Sequence, residues 1–186
     1  MNGMELVKQY QAGIKDFLGI ELVRAKLQDV DLRQADFSQA TLTETDFSRS
    51  NLAQATFYLS LLNLSNLTEA ILTTANLRSA NLMSALFYKA SCGRAQLQKA
   101  NLERAILKRA FFREANFHQA KLVAADLSQA NLIDANLSGA DLSQANLDKT
   151  FLLGANLKGA NLTGVDLERA ILTGAVMPNG QIYDRQ

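Results

Sequence analysis

Aspartate and asparagine return every fifth residue through much of this chain. Asp126, Asn131, Asn136, Asp141 and Asn146 form one such run. Carboxylates held near one another are the raw material of general acid–base chemistry, in which one keeps a proton and its neighbour does not. The other groups with nucleophilic or metal-binding potential are one histidine, His118, and one cysteine, Cys92. No second His or Cys can complete a Cys/His metal cage, and a single Cys makes no intrachain disulfide. The signatures G-x-x-x-x-G-K-[ST], G-x-S-x-G and H-E-x-x-H do not occur. A catalytic site needs its carboxylates in one place, whereas these recur all along the chain. They read better as side chains that hydrogen-bond nearby backbone at strand–turn junctions. No catalytic, cofactor-binding or metal-binding residue is assigned, no cofactor is implied, and the expectation is a protein that is not an enzyme.

The spacing that rules out acid–base chemistry is itself the dominant feature. Numbered by a central apolar residue, a five-residue frame has 33 centres from Phe17 to Met177 without an insertion. Every centre is Leu or Phe except Cys92 and Met177. Two residues before each centre stands Ala. The exceptions from position 25 to 175 are Val30, Thr45, Ser50, Ser60, Ser65, Thr150 and Val165, all small. Five matches neither the 3.6 period of a helix nor the period of two of a flat strand. Each pentad therefore has one small and one large inward residue with one outward residue between them, which is strand alternation over three residues. The other two residues turn the chain. Gly139, Gly154, Gly159, Gly164 and Gly174 all occupy the last frame position. There a type II turn needs positive φ, where glycine is least strained. One pentad buries nothing alone; stacked coils bury a continuous core.

The repeated A-(D/N)-L-x-x, as in "ANLRSANLMSA" and "ADLSQANLIDANLSGADLSQANL", resembles the pentapeptide-repeat family. That resemblance implies an all-β fold, a right-handed quadrilateral parallel β-helix with four pentads per coil. About eight coils stacked at about 4.8 Å make a rod about 40 Å long. Residues 20 apart then stack. Cys92 follows Leu72 and precedes Phe112 in one column, so a large ring beside a small thiol keeps the column's volume. Cys92, Phe112 and the mid-rod Leu132 are read as structural core.

The chain divides into an N-terminal capping helix over 1–16, the β-helix over 17–177, and a C-terminal turn and cap over 178–186. Asn2 and Glu5 have capping-box spacing, Leu6, Val7 and Tyr10 share a face, and Gly13 ends the helix. Pro178, Asn179 and Gly180 make a turn, after which Ile182 and Tyr183 are expected to shield the last coil. Both ends resemble those of cyanobacterial members of the family, heterocyst regulators among them.

Composition narrows the function. Nineteen Lys+Arg against 18 Asp+Glu leave a net charge of +1, with no Trp and 7 % aromatics. No apolar run is long enough to span a membrane, and the first residues have no secretory h-region, so a soluble cytoplasmic protein is expected. The outward position before each centre is usually polar, yet Ile71, Leu86, Ile106, Phe111 and Phe151 occupy it. With the outward Tyr88 they are the candidate partner interface. Lys89, Arg94, Lys99, Arg104 and Arg109 stand at successive corners as a basic belt.

A non-enzymatic, regulatory protein-interaction scaffold is the expected function, with an unidentified protein partner and a monomer or weak end-to-end dimer as its state. The alternative, which the resemblance also implies, is gyrase protection or inhibition by DNA mimicry. The even charge balance argues against it. Nucleic-acid binding through the belt ranks third, since no one-sided basic stripe with serial aromatics is present.

Overall fold

The computed structural model describes residues 1–184, so Arg185 and Gln186 of the expected C-terminal cap lie outside the described residues. One helix, α1 (Gly3–Gln11), precedes the repeats. Asn2 caps it through Oδ1, which accepts from the Glu5 N–H at 2.9 Å. Leu6 is fully buried and Val7 and Tyr10 pack against the core. The helix thus covers the open first coil, which would otherwise present bare strand edge.

Each pentad contributes one bridging residue, which pairs in parallel with the residue 20 positions on. The column Asp16, Asp36, Thr56 and so on to Val176 shows this eight times over. Four pentads therefore close each coil. The bonds are short and uniform: the Leu52 N–H donates to Ile71 O at 2.7 Å, and the Ile71 N–H donates to Ser50 O at 2.9 Å. The corners close with an i to i+3 bond, as from the Ala55 N–H to Leu52 O at 3.0 Å.

Glycine proves dispensable at the corners. Their second residue has φ near +57° to +62° at positions such as Arg24, Gln54 and Leu59. Left-handed backbone costs an L-residue about 1 kcal/mol or more. Here the turn bond and an inter-coil bond, Gln54 N–H to Thr73 O at 3.0 Å, fix the conformation together. The repeated ladder outweighs the local strain.

Inside the rod the centres are fully buried, including Cys92, Phe112 and Leu132. Phe17, Phe37 and Phe57 stack along one column at 5.5 and 5.3 Å between ring centroids, and Phe47 meets Phe37 edge-on at 6.2 Å. Phe112 reaches Phe87, one coil back on the adjoining face, at 6.1 Å, where the small Cys92 leaves room. Thr45 and Thr150 replace the small Ala, and their hydroxyls donate to Leu22 O at 2.6 Å and Leu127 O at 2.8 Å.

The last coil is looser. Asn146 and Asp166 do not bridge, although their neighbours do. Leu162, Val165 and Leu167 are only partly buried. Beyond it the Gly180 N–H closes a turn on Met177 O at 2.8 Å, and Val176 pairs antiparallel with Ile182. Tyr183 packs on the core, but Ile182 is 69 % exposed. The expectation that both shield the last coil fails for Ile182, because strand alternation turns neighbouring side chains to opposite sides.

At the other end Gly3, the first residue of α1, is held tightly against the first coil. A Cβ there would lie 2.8 Å from Lys26 O and 3.3 Å from Leu27 Cδ2. Gly3→Val is expected to push α1 off the first coil and cost about 1–3 kcal/mol, read as a lower midpoint in urea unfolding. An unchanged midpoint would mean that the helix does not stabilise the rod.

Candidate protein-interaction surface

The outward residues form four columns. Their electrostatics begin with the Asx side chains, which are engaged locally. Asp36 Oδ1 accepts from the Ser38 N–H at 2.8 Å, and Asn131 Oδ1 accepts from the Ile133 N–H at 3.1 Å. The same i to i+2 bond recurs at Asp126, Asn136 and Asp141. At Asp141 it holds the carboxyl below its ordinary range. These groups terminate strands. Among the described residues no group of three or more His, Cys, Asp or Glu is placed to hold a metal. His118 Nδ1 pairs with Ser138 Oγ at 2.8 Å, and full burial pushes the Cys92 thiol up, away from the reactive thiolate.

One outward column differs from the rest. It runs Ile71, Ser91, Phe111, Asn131, Phe151, Ile171. Phe111 is 53 % exposed, and Ile71 and Phe151 are also exposed. On the preceding face Leu86 bridges directly to Ile106, both exposed. The corner between these faces carries Tyr88, Lys89, Lys108 and Arg109. Tyr88 is half-buried; Lys89 Nζ lies 5.3 Å from its ring centre and Arg109 Nη1 donates to its hydroxyl at 3.4 Å. The six candidate residues therefore gather around one edge of the rod. Phe111 and Phe151 additionally share a shallow groove of about 910 Å³ with Glu69, Lys89, Arg109, Gln129 and Lys149 along the corner and with Asn131 and Ile133. Ile71, Leu86, Tyr88 and Ile106 lie outside that groove.

Sequence reasoning did not single out Gln129, Asn131, Ile133 and Lys149. The signal for Lys149 was present: it stands 40 and 60 residues after Arg109 and Lys89, in the same corner column. Asn131 looks ordinary in sequence and matters only because it separates two rings.

The basic belt is less uniform than its sequence. Arg94 pairs with Glu114 at 2.7 Å, which keeps the Glu114 carboxyl below its usual range. Arg113 reaches Glu114 and Asp134, each at 3.5 Å, and Lys89 lies 3.8 Å from Glu69. Arg109 and Lys149 have no carboxylate partner among the described residues. In the N-terminal coils Arg24–Glu44, Arg33–Asp31 and Arg49–Asp29 pair at 2.8, 2.7 and 2.6 Å. A second apolar cluster, Tyr58, Leu59, Leu61 and Leu64, lies around the opposite face. No helix among the described residues is long and apolar enough to cross a membrane.

Comparison with known proteins follows the same lines. No curated protein matches the chain. Among solved structures, the chain is similar to HetL, a pentapeptide repeat protein involved in heterocyst differentiation regulation from the cyanobacterium Nostoc sp. strain PCC 7120. Identity is 33 %, over 98 % of this chain and 100 % of HetL, with a TM-score of 0.36. It is also similar to trypsin-treated QnrB1, a plasmid-mediated fluoroquinolone resistance protein. There identity is 18 % over 85 % of each chain, with a TM-score of 0.71, a likeness of fold. A pentapeptide repeat protein of the Arabidopsis thaliana thylakoid lumen is 28 % identical over 76 % of this chain and 71 % of its own, with a TM-score of 0.35. The Pentapeptide repeats family matches in eight copies over residues 20–57, 95–134 and 135–174. With an unbroken five-residue frame, a ladder in which nearly every pentad pairs one residue with the residue 20 further on, and this match across most of its length, the chain belongs to the pentapeptide repeat family.

Proposed function

We propose that this protein is a non-enzymatic scaffold with a regulatory role, and that it binds a protein partner through the edge carrying Phe111 and Phe151. The observation that supports this reading is the exposure of Phe111, 53 %, in a frame position where Asn or Asp normally closes the strand. A ring there gains little from the monomer. In an interface it loses its water and contributes roughly 1.5–3 kcal/mol, less ordering costs. Aromatic residues are the common anchors of such interfaces. The same proposal takes the coil as right-handed, the domain limits as 1–16, 17–177 and 178–186, the protein as cytoplasmic, and its state as a monomer or weak end-to-end dimer.

Phe111→Asn tests it. An Asn here can accept from the Arg113 N–H, as Asn131 does from Ile133, so the fold is expected to persist. Capture of protein partners from a cyanobacterial lysate, at matched concentration, is expected to fall at least about tenfold, equivalent to about 1.4 kcal/mol. Unchanged capture would move the interface elsewhere.

DNA mimicry competes for the same fold. Weighing against it are the N-terminal carboxylates of Asp29, Asp31 and Glu44, each tied to an arginine instead of displayed as a bare anionic face. Inhibition of DNA gyrase supercoiling is expected to be absent at micromolar protein. Clear inhibition would favour mimicry over the scaffold reading.

A further inference from the structure

Phe111 and Phe151 are two coils apart, with Asn131 between them in the same ladder. Two coil rises separate the rings by about 10 Å. They wall a trough across the rod, along the coil direction, with Gln129, Asn131 and Ile133 as its floor, and the groove continues along the corner to Lys89 and Glu69. A trough of that width admits a single extended chain. Asn131 uses Oδ1 to accept from Ile133 and has no acceptor for its amide N–H groups among the described residues. They are available to a docked backbone carbonyl.

The two mouths of the trough differ in charge. At one mouth stand Arg109 and Lys149, with Lys89 and Glu69 further along the same corner, paired to each other at 3.8 Å. The Arg109 guanidinium is positioned by Gln129 Oε1 at 2.8 Å and by the Tyr88 hydroxyl at 3.4 Å, and neither neighbour neutralises it. Lys149 follows Asp148, but that carboxylate is turned to Arg169 at 3.2 Å. At the other mouth, Arg113 is balanced by Glu114 and Asp134. One mouth is thus cationic and the other compensated, which gives a bound segment both a charge and a direction.

Resting on the interaction reading above, we infer that the trough takes an extended acidic segment of a protein partner. An Asp or Glu side chain sits between Arg109 and Lys149, and a large apolar side chain two residues along lies between Phe111 and Phe151. The two-residue spacing follows from strand alternation: positions i and i+2 of an extended segment face the same side, about 7 Å apart. The cationic corner and the aromatic column are likewise two residues apart on the rod, Arg109 to Phe111 and Lys149 to Phe151. A nucleic-acid strand fits less well. Its phosphates need a longer run of cations than two uncompensated groups at one mouth.

The test is selection of a random dodecapeptide library, displayed on phage, against the full-length protein, with the Phe111→Asn protein as counter-selection. Enriched peptides are expected to share Asp or Glu two residues from Phe, Leu, Ile or Met. A fluorescein-labelled synthetic copy is expected to bind at least tenfold more weakly to the Arg109→Gln/Lys149→Gln protein. Replacing its acid by the matching amide is expected to weaken binding to the original protein and to have no effect on that variant. Enriched peptides that lack an acid but still lose binding with Phe111→Asn would overturn the acidic assignment and leave the interaction face standing. Absence of enrichment over the Phe111→Asn protein overturns the trough as a peptide site, whatever the lysate capture shows. So does a fluorescein-labelled oligothymidylate that binds more tightly than any selected peptide and loses affinity in the same variants.

Discussion

Leu132→Asp is expected to unfold the middle of the rod. Leu132 is fully buried and stacks between Phe112 and Leu152 in its column, and the buried Thr150 hydroxyl one coil on is already committed to Leu127 O at 2.8 Å. Burying an unpaired charge costs several kcal/mol, of the order of the whole stability of many domains. A solenoid depends on nearest-neighbour interfaces, so the damage spreads to the coils on both sides. Ser138→Asp adds the same charge six residues away, at a half-buried outward corner position where the new carboxylate can take over the pairing of Ser138 Oγ with His118 Nδ1, and is expected to change the melting temperature by no more than a degree or two. Acid sharpens the comparison. A carboxyl buried at position 132 has a folded-state pKa raised above its unfolded value, so its penalty is full at neutral pH and shrinks as pH falls. The native Asp29, Asp31, Glu44 and Glu114 carboxyls are shifted the other way, downward by their arginine partners. Their contribution is lost as pH falls, so Ser138→Asp is the reference at each pH. The gap between the two variants, followed by circular dichroism melting, is expected to narrow from pH 7 to pH 4. Equal melting temperatures at pH 7 would sink the inward–outward frame.

The fold was legible because the repeat tells the same thing at every level. The unbroken run of centres names the buried residues, the small residue two before each centre lets the coils close, and the resemblance fixes the coil at four pentads. Departures lie where one-dimensional periodicity is a poor guide. The pentad around Asp166 keeps the frame yet does not bridge to Asn146, and the mark it carries in the sequence is Val165 in place of Ala. The pentads on either side, at Asn161 and Ile171, bridge in the same last coil. The cap was half legible: a strand after Pro178 could be read, but which of Ile182 and Tyr183 turned inward depended on the hairpin's register. The basic corners were legible as a belt that encircles the rod, since stacking at 20 residues spreads the five over four columns, with Lys89 and Arg109 sharing one. In those columns Arg94 meets Glu114, while Arg109 meets only Gln129 and Tyr88. The exposure of Phe111 was readable from its frame position. The trough was not, because it needs three coils at once.

The double variant Phe111→Asn/Phe151→Asn is expected to reduce partner capture at least about a hundredfold, equivalent to about 2.7 kcal/mol. Each ring contributes at least a tenfold loss alone, and the two wall the same trough across Asn131. Side chains that share one partner group couple, so the combined loss is expected to depart from the product of the single losses if both grip one side chain. The fold should not suffer. Both positions lie outside the core, neither ring is among the buried aromatic contacts, and Asn at this frame position is already tolerated at Asn131 in the same column. Melting temperature within about two degrees of the original protein is the required control, since capture lost through unfolding carries no information. Ile106→Asn, around the corner and outside the groove, is the internal comparison. A small effect there beside a large effect of the double variant confines the interface to the aromatic trough. Equal losses from all three positions extend it across the Tyr88 corner to the neighbouring face. Full capture by the double variant, with the fold intact, would reduce these columns to ladder packing, in which exposed rings and branched side chains only support the strands beside them.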